Sequence, residues 1–218
     1  MCRTMKYQNN IAAHEAGHCV ALAAAGLAEQ FVSSTITPQA NANGQNVDGQ
    51  TIRNGEALAA YGEQLAQLAG RMADPQGLRN FHDFLVQEAP RVCLPHICFF
   101  FGGGACDRWL KREDLHRNLI DREVIYNQLF PAMNLMNIGD AEMSAVQGKV
   151  DEFLFNVFER EEKLLDGLYG ALVQRGTVLR EDLGPLFNEM KDCGKRARED
   201  YDSLLNWFST WYGKHVHV

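Results

Sequence analysis

The chain has 218 residues, enough for one sizeable hydrophobic core or two small ones. Its 46% hydrophobic and 22% charged residues are ordinary for a globular protein, and a formal net charge of −7 argues against non-specific nucleic-acid binding. No run approaches the roughly 20 apolar residues of a membrane span. The six cysteines include no CxxC pair, which favours a reduced setting over a disulfide framework. The apolar run CVALAAAGLA is not read as a signal sequence, because His14, Glu15 and His18 fall in or beside it. A soluble, cytoplasmic protein is expected.

In chain order, the first element is an Ala-rich helix over about residues 8–26, closed by Gly26. QFVSSTITP then alternates apolar and small polar residues and stops at Pro38, a strand signal. The polar, turn-rich QANANGQNVDGQ ends or connects short strands. Residues 55–73 return to helical spacing, with Leu58, Tyr61, Leu65, Leu68 and Met72 on one stripe. ADPQG breaks it, and a further helix follows around 78–88. VCLPHICFFFGGGACDRWL is the most apolar passage. Its periodicity does not separate a buried helix from a strand, although Pro95 disfavours a central strand. The triplet Gly102–Gly104 lacks the Lys-Ser/Thr that a phosphate loop needs. From Arg108 to about Phe130 the pattern is helical, Pro131 and NIGD break it, and residues 140–218 read as helices. The sum is a mostly α fold with a small β-sheet.

The stretch that carries chemistry is IAAHEAGHCV, residues 11–20. His14 and His18 are four apart, so one helical face presents both imidazoles about 6 Å apart along the axis. At that spacing both can reach one ion at the ~2.0–2.1 Å of a zinc–nitrogen bond. Glu15 lies off the line of the histidines, placed to act on a water rather than to ligate. Gly17 costs roughly 1 kcal/mol against Ala inside a helix, and a close approach by another element would explain it.

The order of parts resembles the peptidase domain of the FtsH family, the membrane-linked AAA zinc proteases. IAAHEAGHCVAL looks like that family's metal helix, and FVSSTITPQANANGQ like the strand and glycine-containing connection after it. FFGGGACDRWL and EDLHRNL resemble its glycine-pair helix and the helix whose aspartate is the third ligand. VDEFLFNVFEREEKLLDGLYGALVQRGTVLREDLGPLF resembles its closing helices. The resemblance runs from about residue 8 to about 187 and implies a helical zinc-peptidase domain over residues 1–189. Residues 190–218 are then a C-terminal helical extension and tail. The family's domain is normally fused behind an ATPase, whereas no ATPase precedes His14 here and no Walker motif occurs. Activity is therefore expected to be independent of ATP, with a separate ATPase or a homo-oligomer as further partners.

Matched position by position, the resemblance makes His14 and His18 zinc ligands, Glu15 the general base and Asp114 of EDL the third ligand. Glu113 and His116 are its nearest substitutes. Asp107 would accept a hydrogen bond from a ligating imidazole. Asp107 and Asp114 are seven apart, so a single helix carrying both would set them on one face. The implied activity is endopeptidase cleavage of loosely folded polypeptides, with a zinc-bound water as nucleophile. The substrate would add as a strand to the edge of the sheet containing Phe31 to Ile36. Two other readings stay open: a catalytically silent, peptidase-like binding protein, and a helical interaction protein whose HExxH is accidental.

Overall fold

The computed structural model describes residues 6–40, 46–71, 73–112, 125 and 139–215. Helix α1 spans Asn10–Ala24; the Asn9 side chain caps it by accepting from the Ala12 N–H at 3.0 Å. Every residue from Ala12 to Ala24 is buried. Helix α1 is thus not amphipathic but the central rod of the fold, and its small side chains let neighbours pack on all sides.

A single turn at Ala28–Gln30 leads into strand β1, Phe31–Thr35. Two-residue strands β2, Gln39–Ala40, and β3, Asn46–Val47, pair with each other. Strand β4, Gln50–Arg53, returns antiparallel to β1, with Ser34 opposite Thr51 and a bulge between Phe31 and Ser33. The three-stranded sheet has the order β4-β1-β5, where β5 is Thr177–Leu179. Strand β1 is therefore the middle strand, and the edges open to an added strand belong to β4 and β5. The sequence reading passed over β5, because three residues between helices leave no alternation to detect.

Helices α2, Glu56–Ala69, and α3, Pro75–Gln87, follow, and Tyr61 of α2 stacks on Phe84 of α3. Asp74 accepts from the Gln76 and Gly77 N–H groups, so the ADPQG break is the cap of α3 itself. The ambiguous apolar passage forms one helix, α4, Ala89–Trp109, with Pro95 and all three glycines inside it. It is buried over most of its length, which explains why its sequence shows no apolar stripe.

Helix α4 crosses α1 at unusually short range. A Cβ on Gly17 would lie 2.5 Å from the Cys106 Cβ and 2.7 Å from the Gly102 carbonyl oxygen. One on Gly102 would lie 2.6 Å from the Ala21 Cβ. Backbone-to-backbone contact of this kind is why both helices tolerate glycine at mid-length. Gly17→Ala should lower stability by about 1–3 kcal/mol, the usual cost of overpacking. The check is the urea midpoint, and an unchanged midpoint would rule out the tight crossing.

The helix expected from Arg108 is broken near its start. Helix α4 ends at Trp109, and Lys111 has φ 59°, a left-handed conformation that stops a right-handed helix. One continuous helix therefore does not carry both Asp107 and Asp114. Residues 113–124 and 126–138, including Glu113, Asp114 and His116, lie outside the described residues.

Four further helices follow among the described residues: α5, Asp140–Arg160; α6, Glu162–Arg175; α7, Pro185–Arg196; and α8, Arg198–His215. Tyr201, Leu204, Phe208 and Tyr212 of α8 are buried in the same core as α4. The chain's start is tied to α6: Lys6 pairs with Glu162 and Asp166, and the Tyr7 hydroxyl donates to Asp166 at 2.5 Å. No helix among the described residues is long and apolar enough to cross a membrane.

Candidate metal centre

Helices α1 and α4 bring His14, His18 and Asp107 together in a buried cluster; the three are 3%, 5% and 2% exposed. His14 Nδ1 lies 2.7 Å from Asp107 Oδ2, and His18 Nδ1 lies 2.7 Å from the Phe99 carbonyl oxygen. A carbonyl oxygen only accepts, so His18 carries its proton on Nδ1. The Gly103 N–H, 3.3 Å from the same nitrogen, is then a crowded neighbour rather than a donor to it. For His14, an ionised Asp107 imposes the same tautomer, Nδ1–H donating to carboxylate. Each imidazole thereby presents Nε2 as its acceptor nitrogen.

Those two Nε2 atoms face one another at 3.2 Å. Two lone pairs at that range repel unless a positive centre sits between them. Ligands about 2.05 Å from one ion at a tetrahedral angle would stand about 3.3 Å apart. The pair of imidazoles thus fits half of a tetrahedral zinc shell, with each Nδ1 held by an outer partner of the type that orients metal-bound histidines. Among the described residues no three His, Cys, Asp or Glu side chains group closely enough to hold a metal. Asp107 does not complete the shell, because its Oδ2 is engaged by His14 Nδ1. The remaining ligand candidate, Asp114, lies outside the described residues.

Glu15, 4% exposed, is held from the sheet side. The Thr51 hydroxyl of β4 donates to Glu15 Oε2 at 2.7 Å. Its single proton is thereby used, so Ser34, 2.8 Å away, donates to Thr51 in turn. A strand hydroxyl pair therefore fixes the carboxylate beside the histidine helix. Gly49 completes the cradle, since a Cβ there would lie 2.8 Å from Glu15 Oε1.

Several contributors were invisible in the sequence. Thr51 and Ser34 carry no motif; only their alternation on strands hinted that they share a face. The Phe99 carbonyl acts through backbone. Gly103 was noted only within the glycine triplet, yet a Cβ there would collide with the His14 ring at Nε2. At the end of α4, Arg108 makes a bidentate pair with Asp151 of α5 at 2.7 Å for each bond, which pins the turn bearing Asp107.

Asp107→Ala should weaken zinc binding by about 10–100-fold, as loss of an outer partner does. Competition against a chelator of known affinity measures it. A loss as complete as that of a histidine variant would make Asp107 a ligand.

Comparison of the chain with protein-family models, with curated proteins and with solved structures gives no match.

Proposed function

We propose that this chain is a zinc-dependent endopeptidase acting on loosely folded polypeptides. The observation that carries the reading is the pair of imidazole Nε2 atoms facing one another at 3.2 Å, each ring oriented through Nδ1, with a buried carboxylate on the residue after His14. The resemblance of IAAHEAGHCVAL to the FtsH-family metal helix supports it independently. His14 and His18 would hold the ion, with Asp114 as third ligand.

Zinc, when bound, supplies a Lewis acid that polarises the scissile carbonyl and lowers the pKa of water toward ~7. The chain's own residues do the rest. Glu15 takes the proton of the attacking water on a carboxylate oriented by Thr51, then returns it to the leaving amine. Asp107 and the Phe99 carbonyl keep both imidazoles in the Nδ1–H tautomer, with Nε2 available. Strand β4, an edge strand whose Thr51 touches the base, offers main-chain groups to an extended substrate. Such binding reads extended backbone more than side chains.

A catalytically silent binding protein and a helical interaction protein are the competing readings. Both predict no hydrolysis, and the second predicts no metal. Elemental analysis of protein purified without a His-tag, with digestion of unfolded casein, separates all three. One zinc per chain with digestion supports the proposal; zinc without digestion leaves the silent fold, and no zinc even after reconstitution leaves the interaction protein.

A further inference from the structure

Beside the histidine cluster lies an open groove of about 520 Å3, lined among others by Thr51, Ile52, Arg53, Leu58, Phe99 and Phe100. It shares two residues with the candidate centre. Thr51 holds Glu15, and the Phe99 ring packs 5.2 Å from the His18 ring while its carbonyl orients that imidazole. A chain lying in this groove along β4 would pass the reacting groups.

Arg53 stands in the groove in an unusual condition. Its guanidinium carbon lies 5.1 Å from the Phe99 ring centroid and 5.5 Å from that of Phe100, so aromatic faces hold it in place. Among the described residues no carboxylate pairs with it, and its only polar contact is a weak one to the Asn54 carbonyl at 3.4 Å. The buried Nε has no hydrogen-bond partner. Burial alone pushes its pKa down, to about 10, with no acid offsetting the cost. The buried His96 has an Nδ1 likewise without a partner; burial and the Arg53 charge push its pKa down to about 3, so the neighbouring imidazole is neutral. A desolvated, pre-positioned cation with no anion is an expensive arrangement for a fold to keep. It is the expected form of a site whose anion arrives with a ligand.

We propose that Arg53 recognises a carboxylate of the bound polypeptide, two positions along from the residue that faces Thr51. Thr51 and Arg53 are alternate residues of one strand, so their side chains share a face and stand about 6.6–6.8 Å apart. A peptide added to β4 carries its own side chains at the same period. The carboxylate belongs to an Asp or Glu side chain, or to the chain's C-terminus. This rests on the peptidase reading only for what happens at Glu15; the carboxylate site itself is a matter of binding.

The test uses the full chain, zinc-loaded and carrying Glu15→Gln, with fluorescein-labelled Ala/Gly peptides followed by anisotropy. One peptide contains an internal Glu and an amidated end, its control has Gln instead, and a third has no acid but a free C-terminus. The Glu peptide should bind about ten- to hundredfold tighter than the Gln peptide, the worth of a charge-assisted pair. Arg53→Gln should erase that ratio with zinc content unchanged, and Arg53→Lys should restore part of it. Preference for the free C-terminus alone would assign the site to chain ends. Equal affinities for all three peptides, or no binding at millimolar concentration, overturn the proposal. Carboxylate preference, found while the unsubstituted chain neither holds zinc nor cleaves casein, would instead sink the peptidase reading and leave this one standing.

Discussion

Glu15→Gln should leave the fold and the zinc in place while lowering peptide hydrolysis by about 10²–10⁴-fold, the range for loss of a general base. The amide is nearly isosteric with the carboxylate and can still accept from the Thr51 hydroxyl through its oxygen, so the Ser34–Thr51 pair keeps its hydrogen bonds. What it lacks is the ability to take a proton from water. Single-turnover cleavage of a quenched fluorescent peptide, with zinc measured on the same sample, reads both quantities. Undiminished turnover in this variant would remove Glu15 from its role. Thr51→Val should act in the same direction but less strongly, because it only frees the carboxylate to rotate.

His14→Ala and His18→Ala should each take the zinc content from about one per chain to near zero, with complete loss of hydrolysis. A zinc shell built from three protein ligands does not survive deletion of one imidazole. The surviving histidine would also lose the imidazole that its Nε2 faces across 3.2 Å. Asp114→Ala should behave as the histidine variants do, in contrast to the graded weakening expected for Asp107→Ala. If Glu113→Ala or His116→Ala empties the site while Asp114→Ala does not, the third ligand moves to that residue. Elemental analysis of the six single variants decides.

What the sequence disclosed was governed by how locally each feature is encoded. The four-residue spacing of His14 and His18 is a property of one helix, so its consequence could be read directly, and the two imidazoles do converge. The strand at Phe31–Thr35 is local in the same way. The passage around Pro95 resisted assignment because α4 is buried on nearly every side, and full burial erases the periodicity that distinguishes helix from strand. Thr51 and the Phe99 carbonyl act on Glu15 and His18 across gaps of 36 and 81 residues, and no spacing rule spans such distances. The break in the helix expected from Arg108 was hidden for another reason: φ at Lys111 is left-handed, and lysine carries no mark of that conformation.

Strand β5 has one more consequence, for the order in which the molecule is made. Thr35 and Thr177 join hydroxyls at 2.8 Å across 142 residues, and β1 has no second neighbour until that late segment arrives. Helix α1 in turn is covered by α4, α6 and α7, of which α7 ends at Arg196. A nascent chain leaves the ribosome with its histidine helix ahead of all three covering helices, the last of them about 170 residues later. At about 5–20 residues per second, the interval is roughly ten to forty seconds. During it the apolar rod from Ala12 to Ala24 has no complete shelter, and contacts this distant in sequence are slow to form. The histidine helix is synthesised before every helix that covers it, so its exposure during synthesis is a property of the topology itself.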